Sequence, residues 1–238
     1  MPPESRSELS AEQERLWSDY LELERGMIRR LMLDGLERFI QSVEGCPAEQ
    51  VQPWVAALAA RVVDDGESIP VRMPLFRRVL MPALREGYRR RRPGYARWLA
   101  GFHNLLVHTP EWDREADGRP TRLNLLRRAL EDDSEDDLAR ERLARELANW
   151  LDFSVHEVPW GVFSGMNGAT LGHTPRLRDA LAEFVRLVDA TGMHEEYDDL
   201  IAECALHFRA YEGYLQHRDA YPDYEAYLDA HEPCWRTP

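Results

Sequence analysis

Hydrophobic side chains recur at helical spacing along nearly the whole chain. Ser10 stands three residues before Gln13 in the manner of a capping box. Behind it come Leu16/Trp17, Tyr20/Leu21, Met27/Ile28, Leu31/Met32, Leu36, Phe39/Ile40 and Val43, which predict one long amphipathic helix ending near Gly45. Pro47 and Pro53 punctuate the connection, and Trp54 to Val63 reads as a shorter helix stopped at Asp64-Asp65-Gly66. The segment IPVRMP is extended. Phe76, Val79/Leu80, Ala83/Leu84 and Tyr88 predict a helix from Leu75 to Arg92, with Pro82 kinking it or opening a second one. Pro93-Gly94 ends it, and Tyr95 to Val107 forms the next. The polar, turn-rich stretch TPEWDREADGRP then marks a boundary between an N-terminal helical subdomain, 1–108, and a C-terminal one, 120–238, which together make one continuous globular unit. In the second, helices are predicted over Thr121–Asp132, behind a Ser134/Asp137 cap through Leu138, Leu143, Leu147 and Leu151, from Thr174-Pro175 to Thr191-Gly192, over Glu195–Arg218, and over Tyr224–Ala230. No segment alternates like a strand for more than a few residues, so the class is all-α, a compact multi-helix bundle or a short stack of helical hairpins.

One stretch breaks this pattern. The loop 158–173 carries Trp160, Val162, Phe163, Met166 and Leu171, which have no reason to face water, and Gly161, Gly165, Gly168 and Gly172 free its backbone. Asn167-Gly168 is the strongest hairpin signal in the chain. We expect Trp160 and Phe163 to be buried as a plug against C-terminal helices; exposed, they would form a partner-binding element. The loop has neither a Gly-Lys-Ser/Thr sequence nor GxGxxG, so nucleotide binding is not expected.

Residues 129–147, ALEDDSEDDLARERLAREL, resemble the junction between tetratricopeptide repeats. Ala129-Leu130, Asp133, Ala139 and Leu143 fall where that pattern places them, and Ser134 stands where the family carries proline. The resemblance implies stacked helical hairpins and a protein-binding role, and it implies no catalytic residues.

Composition narrows the choice. At 44% hydrophobic and 31% charged, the 238 residues suit a globular protein with one sizeable core or two modest ones. No apolar run approaches the ~18 residues that span a bilayer, and MPPESRSELS lacks the apolar core of a signal peptide, so we expect a cytoplasmic protein without membrane contact. Cys46, Cys204 and Cys234 show no metal or redox spacing and read as free thiols, with Cys204 buried. The net charge of −13 disfavours nucleic acid, whose affinity comes from neutralising phosphates. All 30 basic residues are arginine, and charge is segregated: Arg72 to Arg97 holds nine arginines against Glu86, whereas Asp189 to Glu232 holds twelve carboxylates against Arg209 and Arg218.

Candidate chemistry is sparse. Asp152 and His156 share a helix face with Glu157 beside them, and Glu203 and His207 repeat the same spacing of four on the last long helix. With His173 in the loop, these residues form the candidate set for a transition metal between facing helices, although bundle dimetal sites use Glu-x-x-His. We expect the two helices to be neighbours and the side chains to remain hydrogen-bonded pairs rather than converge. Ser154 or Ser164 with His156 or His173 lacks a GxSxG elbow, and Cys204 lies on an apolar stripe, so acyl transfer is rejected. The run Arg89 to Arg92, near Tyr88, Tyr95 and Trp98, is expected to form ion pairs rather than grip a nucleic acid. The reading that results is a noncatalytic interaction or regulatory module, of the inhibitor or immunity kind, needing no cofactor. Its acidic C-terminal surface, with Tyr221, Asp223, Tyr224, Glu225 and Asp229, captures a basic protein. Against the surface role stands the expectation that the tyrosines pack the final helices. The runner-up is a helical-bundle enzyme or metal-binding protein with a site between the 156–173 loop and the 195–218 helix. The sequence does not fix an oligomeric state.

Overall fold

A computed structural model describes residues 9–26, 28–109, 112, 120–158, 162–164, 167, 168 and 170–235. The architecture is all-α: α1 (Ala11–Arg25), α2 (Arg29–Glu44), α3 (Ala48–Ala59), α4 (Met73–Leu75), α5 (Met81–Arg89), α6 (Tyr95–Gly101), α7 (His103–Leu106), α8 (Arg122–Asp132), α9 (Asp137–Glu157), α10 (Thr174–Thr191), α11 (His194–Gln216) and α12 (Tyr224–Trp235). Five-residue π-helical turns, Ala60–Asp64 and Phe76–Leu80, extend α3 and lead into α5. The only strands among the described residues are β1 (Val162–Ser164) and β2 (Asn167–Gly168). The chain divides into two compact units, residues 1–139 and 140–238. That division falls inside α9, not in the polar 109–120 segment, because α8 packs on α6 and Trp112 is buried with its ring 5.8 Å from that of Tyr88.

In the first unit the single long helix predicted at the N-terminus is instead the antiparallel pair α1 and α2. A collinear helix would leave its apolar stripe in water; reversal after Gly26 lets the two stripes bury each other. The Ser10/Gln13 capping box opens α1, and Gln13 Nε2 donates to the Ser42 carbonyl at 2.7 Å across the pair. Gly35 permits the close approach: a Cβ there would lie 2.8 Å from Leu23 Cδ1. Trp17 meets Phe39 at 5.0 Å and Trp54 at 5.3 Å between ring centroids, tying α3 to the pair. Pro53 does not stop the chain but lies inside α3, which the burial of Val51, Trp54 and Val55 holds in place. The Glu49 carbonyl, which loses its donor there, belongs to an exposed residue that water reaches. Pro82 follows directly on the π-helical turn Phe76–Leu80, and the helix runs through it into α5. Gly87 lets the Tyr95 ring lie directly on α5, since a Cβ would come within 2.0 Å of that ring. Ala96, Ala129 and Ala139 form a small-residue contact where α6 meets the helix–turn–helix junction of α8 and α9. Asp136 caps α9 through the Ala139 amide at 2.9 Å; Ser134, the expected cap, is exposed two residues further out.

The second unit is built on the later part of α9 with α10, α11 and α12. Leu147, Leu151, Val155, Leu177, Phe184, Val188, Cys204 and Phe208 form its core. Gly192, at φ +70, closes α10, and α11 returns along it so that Phe184 meets Tyr197 at 5.2 Å. The first helical residue of α10 is Thr174, with His173 as its cap, one residue earlier than the sequence placed it. In the loop, β1 pairs antiparallel with β2, Val162 opposite Gly168 and Ser164 opposite Asn167, so the Asn-Gly pair is the second strand rather than the turn. Trp160 and the side chain of Phe163 lie outside the described residues, and the plug expectation with them. Among the described residues no helix is long and apolar enough to cross a membrane.

Candidate interaction surface

The two charged stretches differ in what their side chains touch. In the first unit most of the basic stretch is engaged internally. Arg72 donates to Glu24 at 2.9 Å, Arg78 to Glu44 at 2.7 Å and to Glu37 at 2.6 Å, Arg90 to Glu86 at 2.7 Å, and Arg91 to Asp132 at 2.8 Å. Arg92 donates to Gln52 Oε1 at 2.7 Å. These guanidinium groups hold the Glu24, Glu37 and Glu44 carboxyls below the ordinary carboxylate range. Arg97 is the most enclosed: its side chain is 11% exposed, it grips Asp64 bidentately at 2.9 and 2.8 Å, and it also bonds Asp136. Burial works against its charge, but the two aspartates outweigh burial and raise its pKa.

The acidic stretch of the second unit is left open. Asp199, Asp219, Glu225 and Asp229 are exposed, and none has an ion-pair partner among the described residues. Asp223, also exposed, caps α12 by accepting the Ala226 amide at 2.8 Å. His194 takes Asp189 and Asp198, and Arg178 takes Glu212.

The tyrosines of this stretch lie beneath the acidic surface and pack the final helices, the expectation weighed against a surface role for Tyr221 and Tyr224. Tyr211, Tyr214, Tyr224 and Tyr227 are buried between α11 and α12, and only Tyr221 is half-buried. Tyr224 meets Tyr211 edge-on at 5.2 Å and Tyr214 at 5.9 Å, and Tyr227 stacks on His231 at 4.2 Å. Gly213 admits Tyr227, whose hydroxyl oxygen would be 2.3 Å from a Cβ at that position. The packing has a simple cause: Tyr224 and Tyr227 are three apart, so they share one helix face, and that face covers the stripe of α11. Burial pushes the Tyr224 and Tyr211 phenols up. The acidic side chains of α12 thus stand on a helix whose inner face is packed with aromatic rings.

His207 joins that packing. Its Nδ1 lies 2.9 Å from the Tyr224 hydroxyl oxygen, and that hydroxyl lies 3.4 Å from the His207 carbonyl, to which it can donate. Burial lowers the His207 pKa, with Glu203 pulling the other way. The folded state therefore binds fewer protons than the unfolded chain just below the ordinary histidine value of 6.5, and stability from this group is lost as pH falls through that window. Exposed His194 shows the opposite sign: Asp198 raises its pKa, so its contribution is present in acid and lost as pH rises. Imidazole resonances followed by NMR should titrate below the ordinary value for His207 and above it for His194. Matching midpoints would contradict this environment.

The candidate metal ligands do not gather. Asp152, His156 and Glu203 are exposed, Glu157 and His173 are half-buried, and His173 Nδ1 lies 3.3 Å from the Thr170 hydroxyl oxygen. Among the described residues no three His, Cys, Asp or Glu side chains group as metal ligands. The helices are neighbours, as expected, since Cys204 Sγ lies 3.9 Å from the Leu151 carbonyl oxygen on α9. Burial, then Glu203 and Asp152, push this thiol up to about 12, the reverse of an activated cysteine. Buried Ser154 donates its hydroxyl to the Trp150 carbonyl at 2.7 Å. Ser164 lies in β1.

Sequence reasoning named Asp223, Glu225 and Asp229 but not Asp199 or Asp219, whose signal was their place on the polar side of the α11 stripe and in the turn after it. Compared with known proteins, the chain matches no family model, no curated protein and no solved structure.

Proposed function

We propose that this protein is a noncatalytic binding module that captures a basic protein partner on the exposed acidic side of α11 and α12. One observation carries the reading: Arg72, Arg78, Arg90, Arg91 and Arg97 of the basic stretch are engaged by carboxylates within the first unit, whereas Asp199, Asp219, Glu225 and Asp229 have no such partner among the described residues. Along α11 and α12 the charge free to act on another molecule is therefore mostly negative. Unpaired carboxylates attract a basic surface within about one Debye length, roughly 8 Å at physiological salt, and repel nucleic-acid phosphates. The aromatic contacts between α11 and α12 fix the helix that carries Glu225 and Asp229, which limits the ordering cost of association. An inhibitor or immunity-type role against a basic protein suits this arrangement.

The experiment is capture by the wild type and by an Asp223→Asn/Glu225→Gln/Asp229→Asn variant, with bound proteins identified by mass spectrometry. We expect the wild type to enrich basic proteins and the variant to lose most of them. Equal capture by both, or enrichment of acidic proteins, refutes the reading. Asp223→Asn keeps an amide oxygen for the α12 cap, so the variant tests charge and not folding.

A further inference from the structure

A cleft of about 500 Å³ lies in the first unit between the C-terminal turn of α1 and the non-helical segment 66–72. Its size is within the roughly 300–1,000 Å³ of small-molecule sites. Two bidentate ion pairs brace its sides. Arg61 grips Glu67 at 2.8 and 2.6 Å, and Arg72, reaching in from the end of the non-helical segment, grips Glu24. The Tyr20 hydroxyl lies 2.6 Å from Glu24 and 3.2 Å from the Pro70 carbonyl, which fixes the non-helical segment against α1. Both lining carboxylates are thereby satisfied, so the cleft offers little to a cation. Arg25 lines it too, is exposed, and has no ion pair among the described residues. The remaining wall is apolar, from Leu21, Ile69 and Pro70, with the Ser68 hydroxyl at its edge.

We propose that this cleft binds a carboxylate carrying a short apolar stem, the carboxylate on the Arg25 guanidinium and the stem against Leu21, Ile69 and Pro70. A guanidinium presents two parallel N–H donors that match one carboxylate. A phosphate dianion fits less well, because a second negative charge would face Glu24 and Glu67 with no further free cation in the wall. The same chemistry occurs in a small free acid and in the C-terminus of a peptide lying along segment 66–72. This site is independent of the acidic surface of the second unit.

Amide NMR titrations test it, with sodium hexanoate, its neutral counterpart hexanamide, and an acetylated Ala-Val-Leu peptide with a free or an amidated C-terminus. We expect hexanoate to shift the amides of Arg25, Ser68 and Ile69 saturably and hexanamide to leave them in place. Arg25→Gln should weaken hexanoate roughly ten-fold, the worth of one charge-assisted hydrogen bond, whereas Arg30→Gln, an exposed arginine outside the cleft lining, should not. Tighter binding of the free-acid peptide than of hexanoate assigns the site to a protein C-terminus; weaker binding assigns it to a small acid. The proposal is overturned if hexanoate gives no saturable shift at these amides, if hexanamide shifts them equally, or if the Arg25 variant binds as the wild type does. All variants lie on the exposed surface, and an otherwise unchanged amide spectrum shows that each is folded.

Discussion

An Arg97→Met variant should lose about 3–5 kcal/mol of stability, read as the shift of its urea transition. The side chains of Arg97, Asp64 and Asp136 are 11%, 10% and 5% exposed, so removing the cation strands two enclosed carboxylates rather than simply deleting an attraction. Asp64 also accepts from the Trp98 indole at 2.8 Å, and Asp136 holds the start of α9, so the damage reaches α6 and α9 together. Arg97→Lys should recover only part of the loss, because one ammonium cannot reproduce the bidentate grip on Asp64 and still reach Asp136. The deficit should shrink in acid, where protonating a stranded carboxylate removes its uncompensated charge. Arg90→Met is the control: its side chain and that of Glu86 are 54% and 37% exposed, and it should cost at most about 1 kcal/mol. Equal effects of the two substitutions would contradict the enclosed network.

The second large effect is expected at Tyr224. Replacing this 3% exposed ring with alanine should destabilise by about 3–5 kcal/mol, the range for deleting a buried large aromatic. Tyr224→Phe keeps the ring and loses only the hydroxyl contact with His207, so about 1 kcal/mol is expected. If Tyr224→Ala were as mild as the phenylalanine change, α12 would not be held by its aromatic face. Asp229→Asn, on the exposed side of the same helix, should leave the transition nearly unmoved.

Periodicity made the helices legible, because a buried face must repeat at the helical period whatever it packs against. Leu36, Phe39, Ile40 and Val43 were read as one stripe, and all are buried. What periodicity lacks is direction: Met27/Ile28 continue the α1 stripe into α2, and nothing in the pattern says that the chain reverses after Gly26. Long-range partners were hidden for a related reason. Arg97 stands beside apolar Ala96 and Trp98, but that it meets Asp64 and Asp136 follows from how α6 packs, which spacing along the chain does not encode. Tyr221 and Tyr224 were named with the acidic surface, and whether they face water depends on how α12 docks on α11. The acidic count between Asp189 and Glu232 was plain in the sequence; which of its members find partners, and that Arg72, Arg78, Arg90, Arg91 and Arg97 pair within their own unit, depends on long-range packing.

The association rate with a captured basic partner, measured against ionic strength, tests the central claim most directly. The account predicts fast association at low salt that slows steeply as salt rises, with the Asp223→Asn/Glu225→Gln/Asp229→Asn variant slower at low salt and flatter in its dependence. A wild-type rate indifferent to salt, or a variant that follows the same curve, would contradict it.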